Sequence, residues 1–217
     1  MQRGLFITFE GSEGCGKSTQ IRHLAERLKQ TGANVLLTRE PGGTPIGEEI
    51  RHLLQFSKAN AAMKPETELL LFTASRAQIT RELIAPALAA GTTVIADRFM
   101  DSTTVYQGVA RRIDPAAVAY VNAFAVGDCQ PDITFVLDLD GDTARERMRQ
   151  REVPLGQVDR MEQEPPEFYE NVRNGYLRLA AAEPGRILVI DAAANIEQVA
   201  ENVWELLQKK IHGLFKS

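Results

Sequence analysis

The chain has 217 residues, 44% of them hydrophobic and 25% charged, with 25 basic and 29 acidic side chains for a formal net charge of −4. That length fits one α/β domain, expected to span 1–217 with a small lid, and is ample for a sizeable core. The balance excludes the dominating basic stripe of a nucleic-acid binder, and no apolar run reaches membrane-spanning length: the longest, Leu83 to Ala96, is broken by Pro86, Gly91, Thr92 and Thr93.

In chain order, Leu5 to Phe9 reads as a buried strand, too short for the apolar region of a secretory leader and without a small-residue cleavage site. Gly16 to Gln30 carries Ile21, Leu24, Ala25 and Leu28 at helical spacing. Val35-Leu36-Leu37 is a second strand, and Ile46–Phe56 and Pro65–Ala90 read as helices. Thr93–Ala96, Ile133–Leu137 and Ile187–Ile190 are the third, fourth and fifth strands. Ile196 to Ile211 is a final helix. Short unbroken apolar strands with helices between them imply a parallel sheet covered on both faces. Arg151 to Asp159, with Pro154 and Gly156, is the expected flexible stretch. The two cysteines, Cys15 and Cys129, have no metal-ligand spacing and make no disulfide framework, so a reducing, cytoplasmic setting is expected.

The strongest motif is Gly11-Ser12-Glu13-Gly14-Cys15-Gly16-Lys17-Ser18, followed by Thr19. It fits G-x-x-x-x-G-K-[ST], and it lies between a strand and a helix as a phosphate loop must. Glycines let successive N–H groups curl toward one point, and the new helix adds the positive end of its dipole. Lys17 suits the β- and γ-phosphates of ATP, and the Ser18 hydroxyl suits Mg²⁺. The bland alternative is a glycine-rich turn without a ligand, which the correct placement argues against. Cys15 reads as a small neutral filler in this loop.

Two further clusters follow strand ends, where parallel sheets bind ligands. One is Arg39-Glu40-Pro41-Gly42-Gly43-Thr44, certainly a turn. The other is Asp97-Arg98-Phe99 with Ser102-Thr103 and Tyr106-Gln107-Gly108. Asp97 suits the ordering of Mg²⁺ and its waters, and Arg98 a forked phosphate contact, although an isolated Asp-Arg pair is as often a surface salt bridge. Asp138-Leu139-Asp140-Gly141 mimics a switch motif but reads as a strand-end turn, and no N-K-x-D guanine reader is present.

Together with Phe72, Arg76 and Asp159-Arg160-Met161-Glu162, this ordered set resembles the thymidylate kinase family along essentially the whole chain. Phe99 departs from the Tyr or His frequent at that position in relatives, and no role is carried over to it. The resemblance implies a P-loop NTPase-type three-layer fold with a five-stranded parallel sheet and a short lid at about 147–160. It implies ATP-dependent phosphorylation of dTMP to dTDP with Mg²⁺, in a homodimer. Another nucleoside or nucleotide kinase on the same scaffold is the nearest alternative, and a regulatory nucleotide switch a more distant one.

By resemblance, Phe72 stacks on thymine and Arg76 bonds its O4 edge. The two are four residues apart and share one helix face, although an aromatic on an apolar helix is more often core. Arg98 is expected at the dTMP phosphate with Arg39 as helper, within a substrate set that also takes in Glu40 and Pro41. Ser102, Thr103 and Gln107 lie where relatives place polar groups near the base, and Tyr106 packs where a 2′-hydroxyl would project. Glu13 is expected near the sugar 3′-hydroxyl and the metal, and Glu162 at the lid or sugar. The phosphate loop holds no basic residue before Lys17, so positive charge is expected from the run Arg145-Glu146-Arg147-Met148-Arg149-Gln150-Arg151. Such a run is usually a solvated helix face. Here Arg149 and Arg151 are the expected lid arginines, with Arg160 third.

Overall fold

The computed structural model describes residues 3–150 and 159–214. Five strands form one parallel sheet: β1 (Phe6–Glu10), β2 (Val35–Arg39), β3 (Thr93–Asp97), β4 (Ile133–Asp138) and β5 (Ile187–Asp191), in the order β2-β3-β1-β4-β5. The most apolar runs take the middle: β1 is buried throughout, whereas the edge strands β2 and β5 are partly exposed. Each expected strand is present, extended by a polar or charged residue at its carboxyl end. Those extensions end in Glu10, Arg39, Asp97, Asp138 and Asp191, of which Arg39 and Asp97 line the cavity described below.

The helices are α1 (Lys17–Gln30), α2 (Pro45–Gln55), α3 (Pro65–Ile79), α4 (Ala85–Ala89), α5 (Met100–Thr103), α6 (Pro115–Val126), α7 (Gly141–Arg149), α8 (Pro166–Ala182) and α9 (Ile196–Leu214). Their starts follow from local chemistry. Thr44 caps α2 by accepting from Gly47 N–H, with Pro45 at the first helical position. Asp140 caps α7 by accepting from Thr143 N–H at 2.9 Å, which confirms the strand-end turn read from Asp138 to Gly141.

Side chains alternate across the sheet. Ile7 and Phe9 face a core built with Ile21, Leu24 and Leu28 of α1 and Val199, Val203 and Leu207 of α9. Phe6 faces the opposite core, with Ile79, Ile84, Leu88 and Phe99. On that side Thr8 and Thr134 share a buried hydrogen bond of 2.8 Å between β1 and β4.

The long helix expected over Pro65–Ala90 is one continuous rod with a π-helical turn at Thr80–Ile84. Pro86 has no N–H for the Glu82 carbonyl, and the chain widens just before it. A second π turn, Thr104–Ala110, follows α5 and carries Tyr106 and Gln107. No helix among the described residues is long and apolar enough to cross a membrane.

Candidate active site

A cavity of about 410 Å³ opens at the carboxyl edge of β1, β2 and β3. It is lined by Glu13, Gly14, Gly16, Lys17, Ser18 and Thr19 of the strand-to-helix loop, and by Phe72, Thr103 and Gln107. Arg39, Arg51 and Arg98 lie in its wall. Gly14 has φ +76°, and a Cβ there would stand 2.5 Å from the Ala144 carbonyl oxygen, so the loop packs directly on α7 and brings Arg147 and Met148 to the cavity.

Lys17 Nζ donates to the carbonyls of Gly11 at 3.0 Å and Ser12 at 2.8 Å. Gly11, Ser12 and Cys15 stand behind the lining. Cys15 is buried, in keeping with a filler, with Sγ 3.6 Å from Lys17 Nζ.

Arg98 is a non-glycine residue at φ 70°, a strained conformation that the surroundings must hold. Glu10 does much of this. Fully buried at the end of β1, its Oε1 accepts from Phe99 N at 2.8 Å and Ser102 N at 3.3 Å, and its Oε2 from Ser102 Oγ at 2.6 Å and Tyr176 Oη at 2.7 Å. Arg98 Nη1 donates to those same two hydroxyls at 3.2 and 3.3 Å. Burial pushes the Glu10 carboxyl up, and Asp101 adds to the rise against the pull of Arg98.

Glu13 uses both oxygens. Oε1 accepts from Arg98 Nη2 at 2.6 Å and Oε2 from Tyr106 Oη at 2.9 Å. Burial opposes its ionisation, but Arg98, Lys17 and the Tyr106 hydroxyl outweigh it and hold the carboxyl low.

The cavity thus brings together the strand-to-helix loop, the arginines Arg39, Arg51 and Arg98, the Phe72 ring and the hydroxyl and amide groups of Ser102, Thr103, Tyr106 and Gln107. A family model described as Thymidylate kinase matches residues 9–203. The chain belongs to the thymidylate kinase family. It is 46% identical to a thymidylate kinase of Geobacter sulfurreducens, over 96% of this chain and 98% of that one. It is 48% identical to one of Pseudomonas fluorescens, over 97% and 99%. A crystal structure of thymidylate kinase from Ehrlichia chaffeensis superposes with a TM-score of 0.75 at 36% identity, covering 94% of this chain and 99% of that one.

The P-loop NTPase-type fold that the thymidylate kinase resemblance implied is thus the fold observed. Several side chains stand elsewhere than the sequence suggests. Arg76 is 1% exposed and does not line the cavity. Its Nε and Nη2 hold Glu40 Oε2 at 2.8 and 2.6 Å, its Nη1 reaches Thr103 Oγ1 and Asn122 Oδ1 at 2.9 and 2.7 Å, and Nη2 also donates to the Phe99 carbonyl. All its donors are spent beneath Glu40 and Thr103, so a base oxygen would have to replace a protein acceptor. Burial pushes the Glu40 carboxyl up to about 7 despite Arg76, and Glu40 Oε1 has no hydrogen-bond partner among the described residues.

The α7 arginine that lines the cavity is Arg147, which also donates to the Ala192 carbonyl at 3.1 Å. Arg149 is exposed, pairs with Glu146 and does not line the cavity. Arg151 and most of the expected lid lie outside the described residues. Arg160, the third expected lid arginine, donates to Glu68 Oε2 and to the Leu54 carbonyl. Glu162 sits on the same short turn, Arg160–Gln163. Arg39 pairs with Glu48 at 2.8 Å and lines the cavity with Pro41 and Ser102.

Arg51 and Gln55, one turn apart on α2, also line the cavity and were missed in the sequence. Arg51 donates to the Pro41 carbonyl at 3.0 Å. Their one signal was a conspicuous arginine six residues after Pro45.

For a divalent metal, Ser18 Oγ donates to Asp97 Oδ2 at 2.9 Å, a pair of hard oxygens beside the phosphate loop. No group of three or more acidic, histidine or cysteine side chains that could hold a metal occurs among the described residues. The pair fits Mg²⁺, which retains waters and takes phosphate oxygens. Glu13 gains no support as a ligand, because both its oxygens are engaged by Arg98 and Tyr106.

Proposed function

We infer that this chain transfers the γ-phosphoryl of ATP to dTMP, giving ADP and dTDP. The observation that carries the reading is one cavity lined by Lys17 and Ser18 of the phosphate loop, by Phe72, Thr103 and Gln107, and by Arg39, Arg51 and Arg98. Two anionic ligands end to end need that distribution of charge.

Lys17 leaves its loop carbonyls for the β- and γ-phosphates. Arg98, with Arg39 and Arg51, holds the acceptor phosphate, and Arg147 meets charge developing on the transferred group. Phosphoryl transfer asks for alignment and charge neutralisation, and no covalent intermediate is needed. Ser18 and Asp97 would hold Mg²⁺, which would supply positive charge against the phosphates. Phe72 stacks on the base, Tyr106 crowds the 2′ position, and Glu13 fixes Arg98 and Tyr106 relative to the sugar. Gly11, Ser12, Gly14, Cys15, Gly16 and Thr19 shape the ATP loop. The whole chain acts as one nucleoside monophosphate kinase domain, with residues from about 147 to 160 as its lid.

The enzyme is cytoplasmic and homodimeric in this reading. Leu70 on α3 and Tyr120 and Phe124 on α6 are 58%, 76% and 71% exposed, an apolar face suited to a second copy. Sedimentation at micromolar concentration tests it: a dimer is expected, reduced to monomer by Phe124→Glu.

The activity is tested by incubating the purified chain with Mg²⁺-ATP and dTMP and resolving the nucleotides. Stoichiometric dTDP and ADP are expected, with none from thymidine. Lys17→Ala should abolish turnover while the thermal unfolding profile stays. Near-normal activity of that folded variant would overturn the phosphate-loop assignment.

A further inference from the structure

We propose that Glu68 sets base specificity by positioning Gln107: its carboxylate holds the side-chain amide nitrogen, so the amide offers its oxygen to the base. This rests on the reading of the cavity as a thymidine nucleotide site.

Gln107 is 2% exposed, and what little it shows lines the cavity beside Phe72 and Thr103. Its Nε2 donates to Glu68 Oε1 at 2.7 Å. Glu68 lies on α3 one turn before Phe72 and is itself 2% exposed. Arg111 donates to both its oxygens at 3.2 Å, and Arg160 to Oε2. Burial pushes the Glu68 carboxyl up, but Arg160, Gln107 and Arg111 together hold it low, so it is ionised at neutral pH.

An ionised carboxylate can only accept. A flipped Gln107 would press its own oxygen against that carboxylate in a buried site, at the cost of an unmade hydrogen bond and a repulsion. In the unflipped amide one Nε2 hydrogen is spent on Glu68, and Oε1 is the acceptor left for the base. A free glutamine could serve a donor or an acceptor equally. This one is committed to a donor.

Thymine and uracil carry a donor at N3, whereas cytosine carries a bare acceptor there. The arrangement therefore accepts the first two and rejects the third at a point distinct from the base O4 edge. The reader of the base lies in the π turn, but the residue that decides what it reads lies on α3.

The test is kcat/KM for dTMP and dCMP with wild type, Glu68→Gln and Arg111→Lys. Glu68→Gln keeps the shape but lets the facing amide point either way. The preference for dTMP should fall by about tenfold or more, mainly through the KM values. Arg111→Lys disturbs the same charge cluster and leaves the acceptor for Gln107. Its preference should stay within about threefold of wild type. An unchanged preference in folded Glu68→Gln overturns the proposal, and so does an equal loss in Arg111→Lys, which would mean general loosening. If Glu68→Gln does not fold, Gln107→Met carries the test: it must lose the preference, and retention overturns the proposal. A wild type that phosphorylates neither nucleotide would overturn the cavity assignment, and this inference with it.

Discussion

Arg98 Nη2 donates to Glu13 Oε1 at 2.6 Å, tying the residue after β3 to the phosphate loop. The guanidinium stands 5.0 Å above the Tyr106 ring, whose hydroxyl reaches the other Glu13 oxygen. One carboxylate thus ties the phosphate loop to both Arg98 and Tyr106. Removing Arg98 should loosen that tie. Arg98→Ala is expected to lower kcat/KM for dTMP by about 10³ or more, while the KM for ATP changes little. Steady-state kinetics with each substrate varied in turn checks this, and equal losses for both substrates would contradict it.

Arg147 and Arg149 offer a sharper comparison, being two residues apart on α7. Only Arg147 faces the cavity. Arg147→Ala should reduce kcat by about 10² or more, a small part of what an arginine at the transferring phosphoryl group can contribute. Arg149→Ala should have a smaller effect, since it loses an exposed pair with Glu146. Single-turnover rates at saturating dTMP measure both. The reverse ranking would show that α7 turns its other face to the nucleotide during the reaction.

Arg76→Met tests the cavity floor. It leaves Glu40, 5% exposed, with no cation beside it and frees Thr103 and Asn122. Breaking a buried pair from one side costs about 3–5 kcal/mol. A marked fall in denaturation midpoint is expected, together with a rise in KM for dTMP. A fully stable variant would mean that Glu40 is satisfied by other means.

What the sequence disclosed follows from range. The phosphate loop is eight consecutive residues with a fixed shape, and the strands are unbroken apolar runs, so both were legible. Arg76 was visible as a partner for Phe72, but its burial depends on Asn122, brought from α6 by the tertiary fold. Glu10 closes an apolar strand and gives no sign that it will hold the turn after β3. Arg51 sits in the amphipathic pattern of α2, where an arginine usually means solvent. In the arginine run of α7, the choice between Arg147 and Arg149 is a matter of helix phase, which Gly14 fixes by packing on Ala144.

Asp159 gives a pH signature. Burial pushes its carboxyl from 3.8 up to about 6, with Glu13 and Glu162 adding to the rise against Met161 N–H and Arg51. The folded protein therefore holds an extra proton between about pH 4 and pH 6, and this group's contribution to stability falls as pH rises through that window. Asp159→Asn keeps an acceptor for the Met161 N–H, now bonded at 2.9 Å, and does not titrate. Relative to wild type, the variant should gain about 1–3 kcal/mol from pH 4 to pH 6 and little above. Urea unfolding at four pH values reads this, and a difference that stays flat across the window would contradict it.

The most direct measurement is a competition. Equal concentrations of dTMP, dUMP, dCMP, UMP and isotopically labelled AMP are offered together with limiting unlabelled Mg²⁺-ATP, and the diphosphates are separated at early times, with ADP scored only by the AMP label. dTDP should dominate, with dUDP next, because uracil loses only the methyl contact, on the order of one kcal/mol. dCDP, UDP and ADP formed from AMP should be minor. A product pool led by any of those three would contradict the assignment of this cavity to thymidylate.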